Sequence, residues 1–321
     1  VSKKILIIRF SSIGDIVLTT PVVRCVKQQV QGAEVHFVTK ESFRDLLVNN
    51  PYIDKLYTFK KDIPEVYDQL KAENYDVVID LHKNLRSLRL KQHLGAKSYS
   101  FDKINFKKFL AVNFKMTSSL PAEHIVDRYF DTVKGLNVKN DGKGLDYFLK
   151  EQDKVDVAKI FFSGEKKEFV ALVAGGSYYT KKIPLEKLEE ICRKITLPMV
   201  VLGDKSDAEI AGKLAEKFAH VHNACGKFSI NQSASIIQQS LAVITSDTGL
   251  MHIAAAFKKK IFSLWGNTIP EFGMGPYLPG EGSRILETRI SCRPCSKLGY
   301  HKCPKGHFRC MMEINISEID L

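Results

Sequence analysis

The sequence predicts an α/β protein built from two doubly wound halves, and three observations lead there. Short apolar runs alternate with amphipathic helical stretches almost from the first residue. The runs are apolar throughout rather than on every second residue, as expected of parallel strands covered on both faces. The alternation occurs twice, on either side of a less regular stretch, and 321 residues with 44% hydrophobic content can fill two cores.

In chain order, Lys4 to Arg9 (KILIIR) reads as the first strand, ending in a Ser-Ser-Ile-Gly-Asp loop. An amphipathic helix follows from Ile16 to Val30, then a strand from Glu34 to Thr39, a short helix, and a strand from Lys55 to Phe59. A helix from Pro64 to Glu73 precedes the strand Asp76 to Leu81 (DVVIDL). Residues 103–144 are less regular, with Asn and Gly clusters, and a helix at His124 to Lys134 closes the first half. The second series has strands at Glu168 to Val173, Pro198 to Leu202, Leu241 to Thr245 and Lys260 to Trp265. Its helices are Pro184 to Ile195, Ser206 to Phe218, Ile230 to Gln239 and Gly249 to Phe257. The domains expected are 1–155, 156–300 and a cysteine-containing tail, 301–321.

No apolar run approaches the length needed to span a bilayer, and the first strand lacks the features of a signal peptide, so a cytoplasmic protein is expected. The net charge is +12, and residues 83–115 carry nine Lys or Arg against Asp102 alone. Such a block suits a polyanionic partner: nucleic acid, an anionic membrane surface, or an acidic substrate. The bland alternative is a solvated face. Aromatics are not regularly interleaved with the charges and no reader motif is present, so nucleic acid is not expected.

In an open parallel sheet ligands bind at the carboxyl ends of the strands. Four loops there are rich in small or polar residues: Phe10 to Asp15, Gly175 to Lys182, Gly203 to Asp207 and Ser246 to His252. In the first, Gly14 suits a tight turn or close approach of a ligand, and the dinucleotide fingerprint G-x-G-x-x-G is absent. Asp15 is either a helix cap or a carboxylate placed to take a proton. Ser177, Thr180 and Lys181 offer hydroxyls and a cation to an anion, without the spacing of a P-loop. In Ser246 to His252, Asp247 or Thr248 would cap an Ala-rich helix whose free N–H groups suit a phosphate without a metal. His252 is either a donor to that phosphate or a satisfied buried histidine.

Four of the seven cysteines, Cys292, Cys295, Cys303 and Cys310, form C-x2-C-x7-C-x6-C. Four thiols with a close first pair suit structural zinc, although the second pair is wider than in common zinc ribbons. Packed thiols are the alternative. Cys25, Cys192 and Cys225 stand singly and read as core residues.

Residues 8–21 (IRFSSIGDIVLTTP) resemble the opening of the ADP-heptose:lipopolysaccharide heptosyltransferase family, and 246–256 (SDTGLMHIAAA) resemble its second hallmark. Lys181-Lys182-Ile183-Pro184 is similar to its lysine-x-tryptophan-proline element, and Cys292-Arg293-Pro294-Cys295 to its late cysteine cluster. The four motifs stand in the family's order. The resemblance implies a GT-B fold, with two Rossmann-like domains facing across a cleft, inversion at the anomeric carbon and no cofactor or metal in catalysis. It places Asp15 on the catalytic base, Lys181 on the diphosphate lysine with Thr180 beside it, and Asp247, Thr248, Gly249 and His252 on the donor-phosphate loop. Two departures stand out: Ile183 replaces tryptophan, and the ribose-binding acid has three candidates in Asp204, Asp207 and Glu209.

The implied partners are an ADP-sugar, held by the second half, and an acidic lipopolysaccharide-core acceptor, held by Ser12, Gly14, Lys83, Arg86 and Arg89 in the first. Peripheral contact with the inner face of the cytoplasmic membrane goes with a lipid acceptor. The rival readings are a GT-B-like nucleotide-sugar epimerase or hydrolase, and a non-enzymatic nucleic-acid-binding protein.

Overall fold

The computed structural model describes residues 3–321. The chain opens with β1 (Lys3–Ile8), α1 (Ile13–Val17), α2 (Thr20–Gln29), β2 (Ala33–Lys40) and β3 (Lys55–Phe59). Next come α3 (Tyr67–Ala72), β4 (Val77–Asp80), α4 (Leu85–Leu94), β5 (Lys97–Ser100), α5 (Asn105–Phe114) and α6 (Ile125–Phe130). The second series is α7 (Val157–Phe161), β6 (Val170–Val173), α8 (Leu185–Lys194), β7 (Met199–Leu202), α9 (Ala208–Lys217) and β8 (Val221–Asn223). It ends with α10 (Ile230–Gln239), β9 (Ala242–Ser246), α11 (Gly249–Ala256), β10 (Lys260–Trp265), β11 (Arg284–Glu287) and α12 (Arg309–Met312).

These elements form two compact units, one of residues 1–103 and 123–148, the other of 104–122 and 149–321. Unit 1 holds a five-stranded sheet, β3-β2-β1-β4-β5, and unit 2 a six-stranded sheet, β11-β10-β9-β6-β7-β8. The pairings within both sheets are parallel. Counted within its own unit, each sheet follows the doubly wound order in which the first strand lies between the second and the fourth. The winding direction therefore reverses between β1 and β4 in unit 1, and between β6 and β9 in unit 2. Ile5 to Ile8, Val170 to Val173 and Met199 to Leu202 are buried on either side of the pleat, as expected of parallel strands covered on both faces.

One local break explains a departure from the expected helices. The stretch expected as one helix from Ile16 is split at Leu18 and Thr19, where Pro21 sits in the first turn of α2 and cannot donate an N–H to the preceding turn. The stretch 103–144, expected to be irregular, contains α5. The expected boundary near 155 compares with a change of unit at 148/149. Residues 104–122 join unit 2 because Ala111 is buried with Ile269 and Phe272. The tail, expected as a separate segment, is part of the core of unit 2: Cys310, Met311, Ile314, Ile316 and Ile319 pack with Ile183, Leu188 and Leu264.

Candidate active site

In unit 1 the loops after β1 and β4 lie side by side, since Ile8 is in register with Asp80. Arg9, at the end of an apolar strand, is buried and its guanidinium reaches four groups. Nε donates to the Ser11 carbonyl at 2.7 Å, Nη1 to the Leu81 carbonyl and the Tyr129 hydroxyl, and Nη2 pairs with Asp15 Oδ1 at 2.5 Å. The other Asp15 oxygen, Oδ2, accepts from Ser12 Oγ at 2.7 Å and from the Ser12 N–H at 3.3 Å. Asp15 is thus fixed from both sides while its side chain stays 23% exposed. Gly14 lies inside α1 with helical backbone and is buried, so it makes no tight turn.

The loop after β4 is organised by Asp80, whose Oδ1 accepts from the N–H groups of His82 (3.0 Å) and Lys83 (2.7 Å). Its Oδ2 accepts from Ser87 Oγ at 2.9 Å and pairs with Lys91 at 3.0 Å. A carboxylate so fully engaged is a structural group rather than a spare base. His82 lies against Phe10 with ring centroids 4.8 Å apart, and its buried Nδ1 has no hydrogen-bond partner among the described residues. Burial, with Arg9 and Lys103 nearby, pushes its pKa down to about 3, so the ring is neutral. Lys83 and Arg89 are exposed, and Arg86 is half-buried with its guanidinium 5.8 Å from the centre of the Phe10 ring. The loop therefore assembles Ser12, Asp15, Lys83 and Arg86 at one sheet edge.

In unit 2 the loops after β6 and β9 flank the reversal. Lys181 Nζ pairs with Asp247 Oδ2 at 2.5 Å, and Thr268 Oγ1 donates to the same oxygen at 3.0 Å. Thr248 caps α11, accepting from the Met251 N–H, and its hydroxyl lies 3.1 Å from that of Thr245. Gly249 opens α11 and His252 is buried in its first turns. Ser177 is exposed in the loop after β6. Lysine, carboxylate and helix N-terminus are thus brought together as the sequence led one to expect.

Thr180 is engaged within the fold. Its hydroxyl accepts from the Tyr300 N–H at 2.8 Å and donates to the Tyr300 carbonyl at 3.2 Å, and it is buried. Both bonds go to the backbone of Tyr300, so in this structure Thr180 anchors its loop. Ile183, standing where the resembled motif has tryptophan, is buried in the unit 2 core. Of the three candidate acids, Asp207 is buried, pairing with Lys182 at 2.6 Å and accepting from the Asp204 N–H at 3.0 Å. Gly175 and Gly203 make room for it, because a Cβ on either would lie within 3 Å of its Oδ2. Glu209 pairs with Lys213 on the surface of α9. Asp204 Oδ1 accepts from the Ser206 N–H at 2.7 Å, and hydrogen bonds from Ser206 lower its pKa.

Nothing in the sequence pointed to Asn267, and Ser246 entered only as the start of the loop Ser246 to His252. Ser246 and Asn267 are buried at the carboxyl ends of β9 and β10. The Ser246 Oγ and both amide atoms of the Asn267 side chain have no hydrogen-bond partner among the described residues. Unpaired buried polar atoms in a native fold call for a ligand or an ordered water. Arg293 ties its own segment to this site. It donates to the carbonyls of Gly266 and Thr268 and pairs with Glu287 at 2.6 Å, while the Cys295 N–H donates to the Asn267 carbonyl at 3.2 Å. The segment of Arg293 and Cys295 therefore braces the loop that carries Asn267 and Thr268.

The four late cysteines lie near one another: after burial, the charges of Cys295, Cys292 and Cys303 help to raise the Cys310 thiol. Cys292 Sγ lies 3.9 Å from His307 Nε2, Cys303 packs against the core and Cys310 is within it, its thiol pushed up to about 12, chiefly by burial. Among the described residues, the group of three metal-ligating side chains with ligand atoms within 4.8 Å of one another is Glu34, His36 and Glu73. That group lies at the opposite, amino edge of the unit 1 sheet and is already satisfied. His36 contacts Tyr75 and Glu34 at 2.9 Å each, and hydrogen bonds from Lys4, Tyr57 and Lys55 hold Glu73 down to about 2.

Residues 64–300 match the model of glycosyltransferase family 9 (heptosyltransferase). Lipopolysaccharide heptosyltransferase 1 of Campylobacter coli is 27% identical over 296 residues, covering 83% of this chain and 84% of its own. A glycosyltransferase family 9 protein of Veillonella parvula has the same fold, with a TM-score of 0.74 at 22% identity over 89% of this chain and 86% of that one. The E. coli heptosyltransferase WaaC, solved with ADP, gives 0.67 at 22% identity over 92% and 96%. Two parallel sheets of doubly wound order, with charged loops at each reversal and a family match across most of the chain, lead to one assignment: this chain belongs to glycosyltransferase family 9, and its units are the two Rossmann-like halves of a GT-B enzyme.

Proposed function

We propose that the enzyme transfers heptose, or a related sugar, from an ADP-sugar to an acidic lipopolysaccharide-core acceptor, with inversion and without a catalytic metal. The observation that carries this reading is the Lys181–Asp247 contact beside the Thr248-capped start of α11. A lysine and free helix N–H groups at one point supply positive charge where a departing diphosphate becomes negative, which is the role a metal would otherwise fill. Ser177, Gly249 and His252 complete the donor set in this reading, and Asn267 joins it as a buried amide in need of a partner.

In the transfer, the acceptor hydroxyl bonds to the anomeric carbon as the bond from that carbon to the ADP oxygen breaks. Its proton passes to Asp15 Oδ2, where the Ser12 hydroxyl now sits; that hydroxyl is a rotor and can turn aside. Arg9 keeps the carboxylate aimed through Oδ1. Lys83, Arg86 and Arg89 hold the acceptor's acidic groups, and a lipid-linked acceptor brings the enzyme to the inner face of the cytoplasmic membrane. The tail thiols are assigned a packing role; stoichiometric zinc that disappears in Cys295→Ser would replace it with a structural metal.

The test is Asp15→Asn. Asparagine keeps the volume and the capping ability of aspartate, so a mere cap predicts nearly full activity. A base predicts a loss of at least about 10²-fold in kcat with ADP binding unchanged by calorimetry, in EDTA as well. An Asp15→Asn enzyme retaining most of its kcat removes the base assignment. Release of free sugar at the same rate with and without acceptor would favour a hydrolase instead.

A further inference from the structure

We infer that α5 is a bilayer-docking helix, which seats its aromatic face in the interfacial region of an anionic lipid leaflet. The inference rests on the reading of a lipid-linked acceptor and adds the surface that meets the lipid.

Helical spacing puts Phe106, Phe109, Leu110 and Phe114 on one face, at i, i+3, i+4 and i+8. In a globular protein that stripe faces the core. Here it does the reverse: Phe106 is 72% exposed, Phe109 54% and Phe114 63%, and Met116 just beyond is 49% exposed. Ala111 is the buried residue of the helix, packed with Ile269 and Phe272, with Val112 and Leu120 partly buried alongside. The helix therefore attaches by its narrow small-residue side and turns its wide aromatic side outward.

It is also held firmly. Lys115, in a left-handed conformation at the helix end, donates from Nζ to the carbonyls of Val112, Cys292 and Pro294, the last at 2.7 Å. Phe109 and Phe114 keep an edge-on contact with centroids 6.1 Å apart. An aromatic face this large on a fixed support is a binding surface rather than a frayed segment.

Charge selects the occupant. Between Asp102 and Glu123 there is no acidic residue, whereas Lys103, Lys107, Lys108 and Lys115 are present. Lys107 borders the aromatic face, Lys108 lies over Phe272 on the attaching side and Lys115 is bound to carbonyls, so the whole segment carries positive charge with no acid to offset it, as suits a helix lying in the plane of an anionic membrane surface. A second copy of the same face would bring lysines against lysines, which argues against self-association. With ten residues the helix lies on a leaflet and does not cross it, and no helix among the described residues is long and apolar enough to span.

The test is vesicle flotation of the full chain, with phosphatidylcholine vesicles with and without phosphatidylglycerol. The wild type is expected to float with the anionic vesicles, and the triple variant Phe106→Ser, Phe109→Ser, Phe114→Ser to lose at least about tenfold in partitioning. ADP binding and transfer to a lipid-free core oligosaccharide should be unchanged in the triple variant, which shows that it is folded. In Phe106→Trp, the new indole emission should shift to the blue on adding anionic vesicles. Absence of wild-type flotation, or equal flotation of the triple variant, overturns the inference. So does a concentration-dependent dimer that the triple variant abolishes, since a second copy would then be the occupant. If the wild type floats but leaves every core acceptor unmodified, the proposed function fails while the docking surface stands.

Discussion

Thr180 and Lys181 are adjacent in sequence and opposite in use. The threonine hydroxyl is closed into two bonds with Tyr300 backbone, whereas the lysine ammonium reaches Asp247 at the end of another strand. Thr180→Val keeps the shape and removes both bonds, so stability should fall by roughly 1 to 3 kcal/mol, the net value of two such bonds, while ADP affinity holds. Lys181→Ala should instead weaken ADP binding by roughly 1.5 to 3 kcal/mol, as for a hydrogen bond to a charged group. Thermal unfolding and calorimetry on the two variants separate the roles; equal losses of ADP affinity would return Thr180 to the phosphate. Asp15, Lys181 and Asp247 were legible in sequence because they follow apolar strands, where ligands gather in such sheets. Asn267 was not, and Ser246 only as the start of its loop, since an unpaired buried amide or hydroxyl is visible only once its surroundings are known. Arg9 offered a signal that was available: an arginine closing an apolar strand must find partners in the interior.

At the scale of elements, the basic block from 83 to 115 is divided. Lys91 is bound to Asp80, Lys115 to the carbonyls of Cys292 and Pro294, and Lys83, Arg86 and Arg89 belong to the start of α4 in unit 1. If Arg86 and Arg89 hold the acceptor as proposed, reversing both charges should raise the acceptor KM more than the donor KM, since such groups supply binding rather than transition-state stabilisation. Steady-state kinetics with each substrate varied in turn checks this, and an unchanged acceptor KM would leave the pair a solvated surface. The central strands were readable because burial on both faces leaves them apolar throughout. β5, β8 and β11 were not: each lies at a sheet edge, is short, and carries polar residues such as Lys97, His222 and Arg284. α5 was hidden for a different reason, since its apolar period serves an outward face and its flanks are rich in Asn and Lys.

For the molecule as a whole, acid stability has a marker in His82. Its pKa is about 3 in the folded chain against 6.5 for an ordinary imidazole, so below pH 6.5 the unfolded chain takes up a proton that the folded one refuses. Stability should therefore decline as pH falls from about 6.5 towards 3. Glu73 and Asp141, held down to about 2 by hydrogen bonds led by Lys4 and Arg24 respectively, lose their contributions only at lower pH, below their ordinary 4.5 and 3.8. Between pH 6.5 and 4.5 the slope of Tm against pH should be flatter in His82→Asn, and a variant as steep as the wild type would remove His82 from the account. The brace formed by Arg293 and Tyr300 has a consequence for the order of events during synthesis. Thr180 finds its partner 120 residues further along, and Gly266 and Thr268 wait for Arg293. A ribosome must therefore have made nearly the whole of unit 2 before the loops proposed to hold the nucleotide can take their final form, so a nascent chain stopped before Arg293 should have its strands but lack ADP binding, if the proposed donor site is right.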